Sequence, residues 1–328
     1  MTISRRGIVA GAAALLTLPR AAGAAEWRPR EAVRVIIPAA PGGTTDVMGR
    51  FLAQHIQAAW DAAVVVENKS GGGGTIAMTD YVRQKPDGHV VMVGNPGPNA
   101  IAYSIFRNLG YKPDQLMPVG GLIRTPNIVC VHPSLPVRSV AELMAYLKAN
   151  PDTVSYATSG TGQSPHLTGA WFLQLTGLKM AHVPFRGASP ALTAVLGGQI
   201  PVLFDNLYPS PPQVREGKLR ALAVTTAERS FQAPDVPTMR ESAPELADFE
   251  VSSWFGVFLP AGAPAAVVDA YSAEIKALLE RPDIAARISE IGAQPHWTTP
   301  VQYAAFVRAE IAKFGAIIRK ENLQMDVN

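Results

Sequence analysis

Three times in this chain a short β-rich run breaks into a loop of glycines and hydroxyls and then into a helical pattern. That grammar constrains the fold more than any other feature. Val33-Arg34-Val35-Ile36-Ile37 is followed by Pro41-Gly42-Gly43-Thr44-Thr45-Asp46. Val47, Met48, Phe51, Leu52, Ile56 and Ala59 then recur at helical spacing, with Thr44 or Thr45 as the expected cap and Asp46 facing the positive end of the dipole. Val64-Val65-Val66 leads through Gly71-Gly72-Gly73-Gly74 to a helix from Thr75, and Val154-Ser155-Tyr156-Ala157 leads through residues 158–164 to a helix from Pro165. Further runs, Val90-Val91-Met92-Val93, Val202-Leu203-Phe204 and Ala221-Leu222-Ala223-Val224, read as buried strands. Ser139-Val140-Ala141-Glu142 is a capping box, and Ser189-Pro190 reads as an N-cap with Pro at the first helical position. From Pro264 onward helical patterns dominate, the last running from Val301 to about Lys320.

Strands alternating with helices predict an α/β fold with mostly parallel sheets, here in two blocks plus a helical tail. With 328 residues and 48% hydrophobic residues, the chain has the length and apolar content for two domains with real cores. No linker separates the blocks, so the chain must cross between them in strand-like runs, near 123–131 and at 251–257. The first domain is then discontinuous, 25–127 plus 256–328, and the second is 128–255.

The N-terminus reads as an export signal. Arg5-Arg6 precedes a mild apolar stretch, residues 8–18, and Ala22-Gly23-Ala24 fits small-residue cleavage, so residues 1–24 are expected to be removed. Ser4-Arg5-Arg6 also fits the twin-arginine type. The formal charge of +3 belongs to this segment: its removal takes three arginines and no acid, leaving 26 basic against 26 acidic residues. The basic pI therefore gives no argument for nucleic acid or anionic membrane as a partner. No apolar run reaches the roughly 18 residues of a membrane-spanning helix.

In a parallel α/β sheet, ligands collect beyond the carboxyl ends of the strands. Glycine lets backbone approach a ligand closely, hydroxyls donate, and the helix that follows contributes exposed amides and a positive dipole end. Three such loops favour a carboxylate site needing no cationic side chain. Phosphate is the rival anion, but neither G-x-x-x-x-G-K-[ST] nor a G-x-G-x-x-G after a strand with a later acidic partner is present. No catalytic set assembles: there is no G-x-S-x-G, no H-E-x-x-H, and the histidines are scattered. The single cysteine, Cys130, sits in the apolar run Ile128-Val129-Cys130-Val131 and reads as a buried thiol, which excludes an internal disulfide and a CxxC metal site. His166 reads as a packing or capping residue. Asp205, in Phe204-Asp205-Asn206, either caps the next helix or accepts a hydrogen bond from a ligand amine or hydroxyl.

These segments together resemble the substrate-binding proteins of tripartite tricarboxylate transporters, the Bug family. The resemblance rests on the first loop, on Val64-Val65-Val66-Glu67-Asn68-Lys69, Gly72-Gly73-Gly74-Thr75-Ile76 and Pro86-Asp87-Gly88-His89. It continues through Ser164-Pro165-His166-Leu167-Thr168-Gly169, His182-Val183-Pro184-Phe185-Arg186-Gly187, Phe204-Asp205-Asn206 and Trp254-Phe255-Gly256. It implies a periplasmic-binding-protein-like fold, with two α/β domains joined by a two-strand hinge and the ligand cleft between them.

It implies, further, a periplasmic receptor and not an enzyme, without cofactor or metal, monomeric, delivering its ligand to integral membrane subunits. The ligand is a small carboxylate: a di- or tricarboxylate, an amino acid or an aromatic acid. Carried over by motif, the ligand-binding residues are Ala40, Gly42, Gly43, Thr44, Thr45 and Asp46 on one side. On the other they are Ser159, Gly160, Thr161, Gly162, Ser164 and His166, with Asp205 as the family's aspartate near the cleft. Three positions depart from the family's pattern. Ala39 stands where an aromatic residue is common, Thr44 where the first loop has a third glycine, and Phe185 where many members have tyrosine. The alternative reading with the same cleft is a ligand sensor presenting its closed form to a signalling protein.

Overall fold

The structure is a computed structural model describing residues 27–326; the expected export signal lies outside the described residues. The first block holds β1 (Val33–Ile37), α1 (Thr44–Trp60), β2 (Val64–Asn68), α2 (Thr75–Tyr81) and β3 (Val90–Gly94). β1 pairs in parallel with both β2 and β3, as a strand–helix–strand alternation requires. A short helical turn and α3 (Ala102–Ile105) lead into β4 (Leu116–Val131).

The second block follows as α4 (Val140–Ala149), β5 (Ser155–Thr158), α5 (Ser164–Thr176), β6 (Ala181–Pro184), α6 (Ala188–Leu196), β7 (Val202–Asn206), α7 (Ser210–Arg215) and β8 (Arg220–Val224). Here β5 lies parallel to β6 and β7. The chain returns through β9 (Ser252–Pro260) to α8 (Ala265–Leu279), α9 (Pro282–Glu290), β10 (Gln294–Pro295) and α10 (Pro300–Lys320).

β4 and β9 are the crossing strands. They run antiparallel to each other from Leu116↔Pro260 to Pro126↔Ser252. The later half of β4, residues 127–131, pairs antiparallel with β7 and β8, while β9 pairs antiparallel with β3. The strand order is β2-β1-β3-β9-β4-β7-β5-β6. The expectation of mostly parallel sheets therefore needs correcting. Each block has a parallel core, but a strand that enters one block and leaves for the other must run against its neighbours.

One core packs α1, α8 and α9 on the first sheet through Met48, Leu52, Ile56, Ile275, Leu278 and Ile288. A second, smaller one packs α6 under β4, β7 and β8 around Cys130, Leu203 and Val195. The largest runs through both blocks, from Tyr81 and Phe258 to Phe172 and Phe204. Each fully buried aliphatic side chain contributes about 1.5–3 kcal/mol. Ser139 caps α4 by accepting from the Glu142 amide at 3.1 Å, and Thr299 opens α10 with its own capping box. Two expected caps fall elsewhere. α1 starts from Gly43, with Thr44 and Thr45 inside its first turn, and α6 starts from Gly187, leaving the Ser189 hydroxyl to donate to the Pro41 carbonyl.

Candidate functional site

Glycine sets the entry to α1. Gly42 has φ +89° and Gly43 is extended, so the chain turns out of β1 and the helix begins without a capping side chain. The amides of Thr44, Thr45 and Asp46 then lack an intrahelical acceptor, which leaves a donor cluster at the positive end of a 17-residue helix. Asp46 braces this loop from behind. Its Oδ2 accepts from the Gly42 amide at 2.9 Å and from Arg50 Nε at 3.0 Å, and its Oδ1 accepts from Asn68 Nδ2 at 2.9 Å. Burial alone would raise its pKa. The bonds from Arg50, Gly42 and Asn68, with the charge of Arg50, outweigh that and hold the carboxyl below its ordinary range.

The second loop turns through four consecutive glycines, Gly71 to Gly74, every one with positive φ. A Cβ on Gly73 would collide with the Thr161 carbonyl oxygen of the third loop, so only glycine allows the two loops to meet. Gln163, the N-cap residue of α5, donates from Nε2 to the Gly73 carbonyl at 2.7 Å. Beside them the Ala40 amide donates to the Arg186 carbonyl at 3.2 Å, and the Thr44 hydroxyl to the Tyr208 carbonyl at 3.4 Å. The two blocks are thus closed on each other.

Between them lies a cavity of about 350 Å³. The starts of α1, α2, α5 and α6 all lie along it, through Thr44 and Thr45, Gly72 to Gly74, Thr161 and Gln163, and Gly187 and Ala188. Ile76, Phe106, Phe185 and Phe255 give it apolar wall, and Asn95, Asn206 and Ser253 add polar side chains. Among the described residues, Arg186 is the one charged residue in the lining. Amides and hydroxyls at several helix N-termini, with no lining carboxylate, make a site for an anion.

Of the residues expected from sequence, Ala40, Gly43, Thr44, Thr45, Ser159, Gly160 and Thr161 line this cavity. Gly42, Asp46, Gly162, Ser164, His166 and Asp205 lie outside the lining. Gly42 serves the turn and Asp46 braces it. The Gly162 amide donates to His166 Nδ1 at 3.2 Å, and His166 stacks on His182 with ring centroids 4.3 Å apart. Burial, and secondarily the charge of His182, lowers the His166 pKa to about 3; burial lowers that of His182 to about 4. Both rings are neutral struts at ordinary pH. Ser164 is buried on Asn127 and Ser253.

Asp205 is fully buried, with Oδ1 accepting from the Asn206 amide at 2.8 Å and Oδ2 without a geometric partner. Burial raises its pKa to about 7, offset in part by the Asn206 amide and the nearby Ser159 hydroxyl. It caps no helix; α7 begins after Pro209. Cys130 is buried beside it, its thiol pushed up by burial and by the Asp205 charge.

The second glycine loop, one of the three anion loops expected from sequence though without an assigned ligand-binding residue, lines the cavity, and so do Gln163, Asn95, Asn206, Ser253 and Phe255, which are not among the expected ligand-binding residues. The last two had a signal. Alternation along a strand puts residues 253 and 255 on one face, and that face of β9 meets the cavity. Among the described residues, no group of three His, Cys, Asp or Glu side chains is placed to hold a metal.

A model of the tripartite tricarboxylate transporter family receptor (TctC) matches residues 48–323. Protein BugT of Bordetella pertussis is 30% identical over 303 residues, covering 92% of each chain. Among solved structures, Rpa4515 of R. palustris with adipate superposes with a TM-score of 0.85 at 32% identity, over 90% of this chain and 98% of that one. MatC from Rhodopseudomonas palustris with bound malate gives 0.84 at 31% identity, over 88% and 99%.

Proposed function

The chain belongs to the tripartite tricarboxylate transporter receptor family, whose members are substrate-binding receptors and not enzymes, and from that premise we propose that it is a periplasmic receptor for a small carboxylate. The observation that carries this reading is the convergence of helix N-termini from both blocks on one cavity without a lining carboxylate. The ligand's carboxylate lies against the amides and hydroxyls of Thr44, Thr45, Ser159 and Thr161, and its carbon skeleton against Ile76, Phe106, Phe185 and Phe255. Adipate and malate in the two similar structures support an aliphatic dicarboxylate as the first ligand to try. A charge-assisted hydrogen bond contributes about 1.5–3 kcal/mol. A few from each block, after the cost of association, reach roughly −8 kcal/mol, or micromolar binding.

The domain division proposed is 25–127 with 256–328 against 128–255, hinged on β4 and β9. A ligand shifts closure only by its differential affinity for the closed form. Contacts to loops of both domains supply that difference, and the closed shape is what the membrane subunits of the transporter receive. Export to the periplasm with loss of residues 1–24 is part of the same proposal.

The test is a thermal-shift screen of residues 25–328, refolded to strip co-purified ligand, against carboxylates, amino acids and aromatic acids, with phosphate and sugars as controls. Ligand at 100 times Kd adds about 2.7 kcal/mol of stability. Stabilisation confined to carboxylates supports the proposal; stabilisation by phosphate or sugar alone overturns it.

A further inference from the structure

A second recess, about 730 Å³, lies beside α1 and shares no residue with the cleft cavity. Its walls come from both blocks: Arg50 and Phe51 of α1 and Arg287 and Glu290 of α9 on one side, Tyr208 and Arg215 on the other. The floor is aromatic, with the Arg287 guanidinium 5.5 Å from the centroid of the Phe51 ring. Arg50 is held by Asp46 at 3.0 Å, but among the described residues neither Arg215 nor Arg287 makes an ion pair. Glu216, next to Arg215, is taken by Lys218 at 2.7 Å. On a mature chain with balanced charge, this is a local positive surplus over an aromatic surface.

The recess differs in kind from the cleft. The elements that reach it at Arg215 and at Glu290 do so at their C-terminal ends, and the start of α7, which also borders it, carries Pro209, Pro211 and Pro212, three residues with no amide to donate. Its cations are exposed, which suits carboxylates strung along an extended chain better than a small solute that must be enclosed. We propose that it is a docking groove for an acidic, exposed polypeptide segment of the transporter's membrane subunits. The inference rests on the receptor reading above. Because its walls belong to both blocks, opening the hinge changes the groove's width, so a segment fitted to it distinguishes closed receptor from open.

The test places the photo-cross-linker benzoylphenylalanine at exposed Gln54, which also lines the groove, in the full chain co-produced with its membrane subunits. Irradiation in the presence of ligand is expected to give a cross-link to a multi-span membrane protein, within a segment rich in Asp and Glu. That yield is expected to fall at least fivefold in R215E/R287E, while the double variant's ligand affinity, by calorimetry, stays within twofold of the parent's. A cross-link to the transporter that is indifferent to charge reversal, or the absence of any cross-link, overturns the groove and leaves the receptor reading standing. A cross-link to a signalling protein overturns the partner and the transport reading together.

Discussion

The Gln163 side chain donates to the Gly73 carbonyl across the cleft at 2.7 Å, latching the start of α5 onto the four-glycine turn of the opposite block. This bond joins residues 90 positions apart across the cleft, so separating the two loops would break it. A neutral hydrogen bond contributes about 0.5–1.5 kcal/mol. Gln163→Ala is therefore expected to weaken ligand binding about two- to twelvefold, with little change in the melting temperature of the unliganded protein. Calorimetric titration checks the first and thermal unfolding the second; a large loss of unliganded stability would show that Gln163 supports the fold instead.

Gly73 carries the harder constraint. A Cβ there meets the Thr161 carbonyl oxygen, and the residue has φ +62°. Gly73→Ala is expected to fold, at a cost of about 1–2 kcal/mol for the left-handed backbone, but to lose ligand-driven compaction. Small-angle scattering with and without saturating ligand reads this directly. Compaction equal to that of the parent would mean the loops separate more readily than the closed geometry implies.

Thr44 and Ser159 line the cavity from the two blocks. To reach a bound carboxylate each hydroxyl gives up its present acceptor, the Tyr208 carbonyl for Thr44 and the Asp205 carboxyl for Ser159, so Thr44→Val and Ser159→Ala are each expected to lower affinity about two- to tenfold, with folding intact. Unchanged affinity in both would move the carboxylate away from these loops.

The buried titratable groups near the cleft give opposing pH dependences. His166 and His182, lowered from 6.5 to about 3 and about 4, take up protons in the unfolded chain first. Their contribution is complete above pH about 6.5 and is lost as pH falls toward 4 and 3. Asp205, raised from 3.8 to about 7, contributes below pH about 4 and loses that contribution as pH rises toward 7. Asp205→Asn is thus expected to steepen the rise of melting temperature between pH 4 and 7, and His166→Gln to flatten it. Parallel curves for parent and both variants would contradict these assignments.

The loops were legible in sequence because their signal is local: glycines and hydroxyls between a β-rich run and a helical pattern. The crossing strands were legible as the two strand-like runs without a linker, although their antiparallel pairing was not. The inner wall of the site was hidden for a different reason. Asn127 Oδ1 accepts from Ser164, Asn206 and Ser253, residues 37, 79 and 126 positions away along the chain. Its Nδ2 donates to the Thr168 hydroxyl at 2.9 Å. Such a network joins β4, α5, β7 and β9 where the strands cross, and no local pattern announces it. The packing role of His166 was readable from its first-turn position, but the inward turn of Asp46 was equally invisible. A polar residue in the first turn of a helix reads the same whether it points at a ligand or back into its own loop.

With backbone amides, hydroxyls and helix dipoles holding an anionic group in the cleft, binding follows the ligand's charge more than its shape. Calorimetric titration of residues 25–328 with a saturated aliphatic dicarboxylate and with its diamide separates charge from shape. Roughly micromolar binding is expected for the diacid, and an affinity at least a hundredfold weaker for the diamide, which matches it in shape but lacks the charge. Equal binding of the two, or binding of neither alongside a tight neutral ligand, would contradict it.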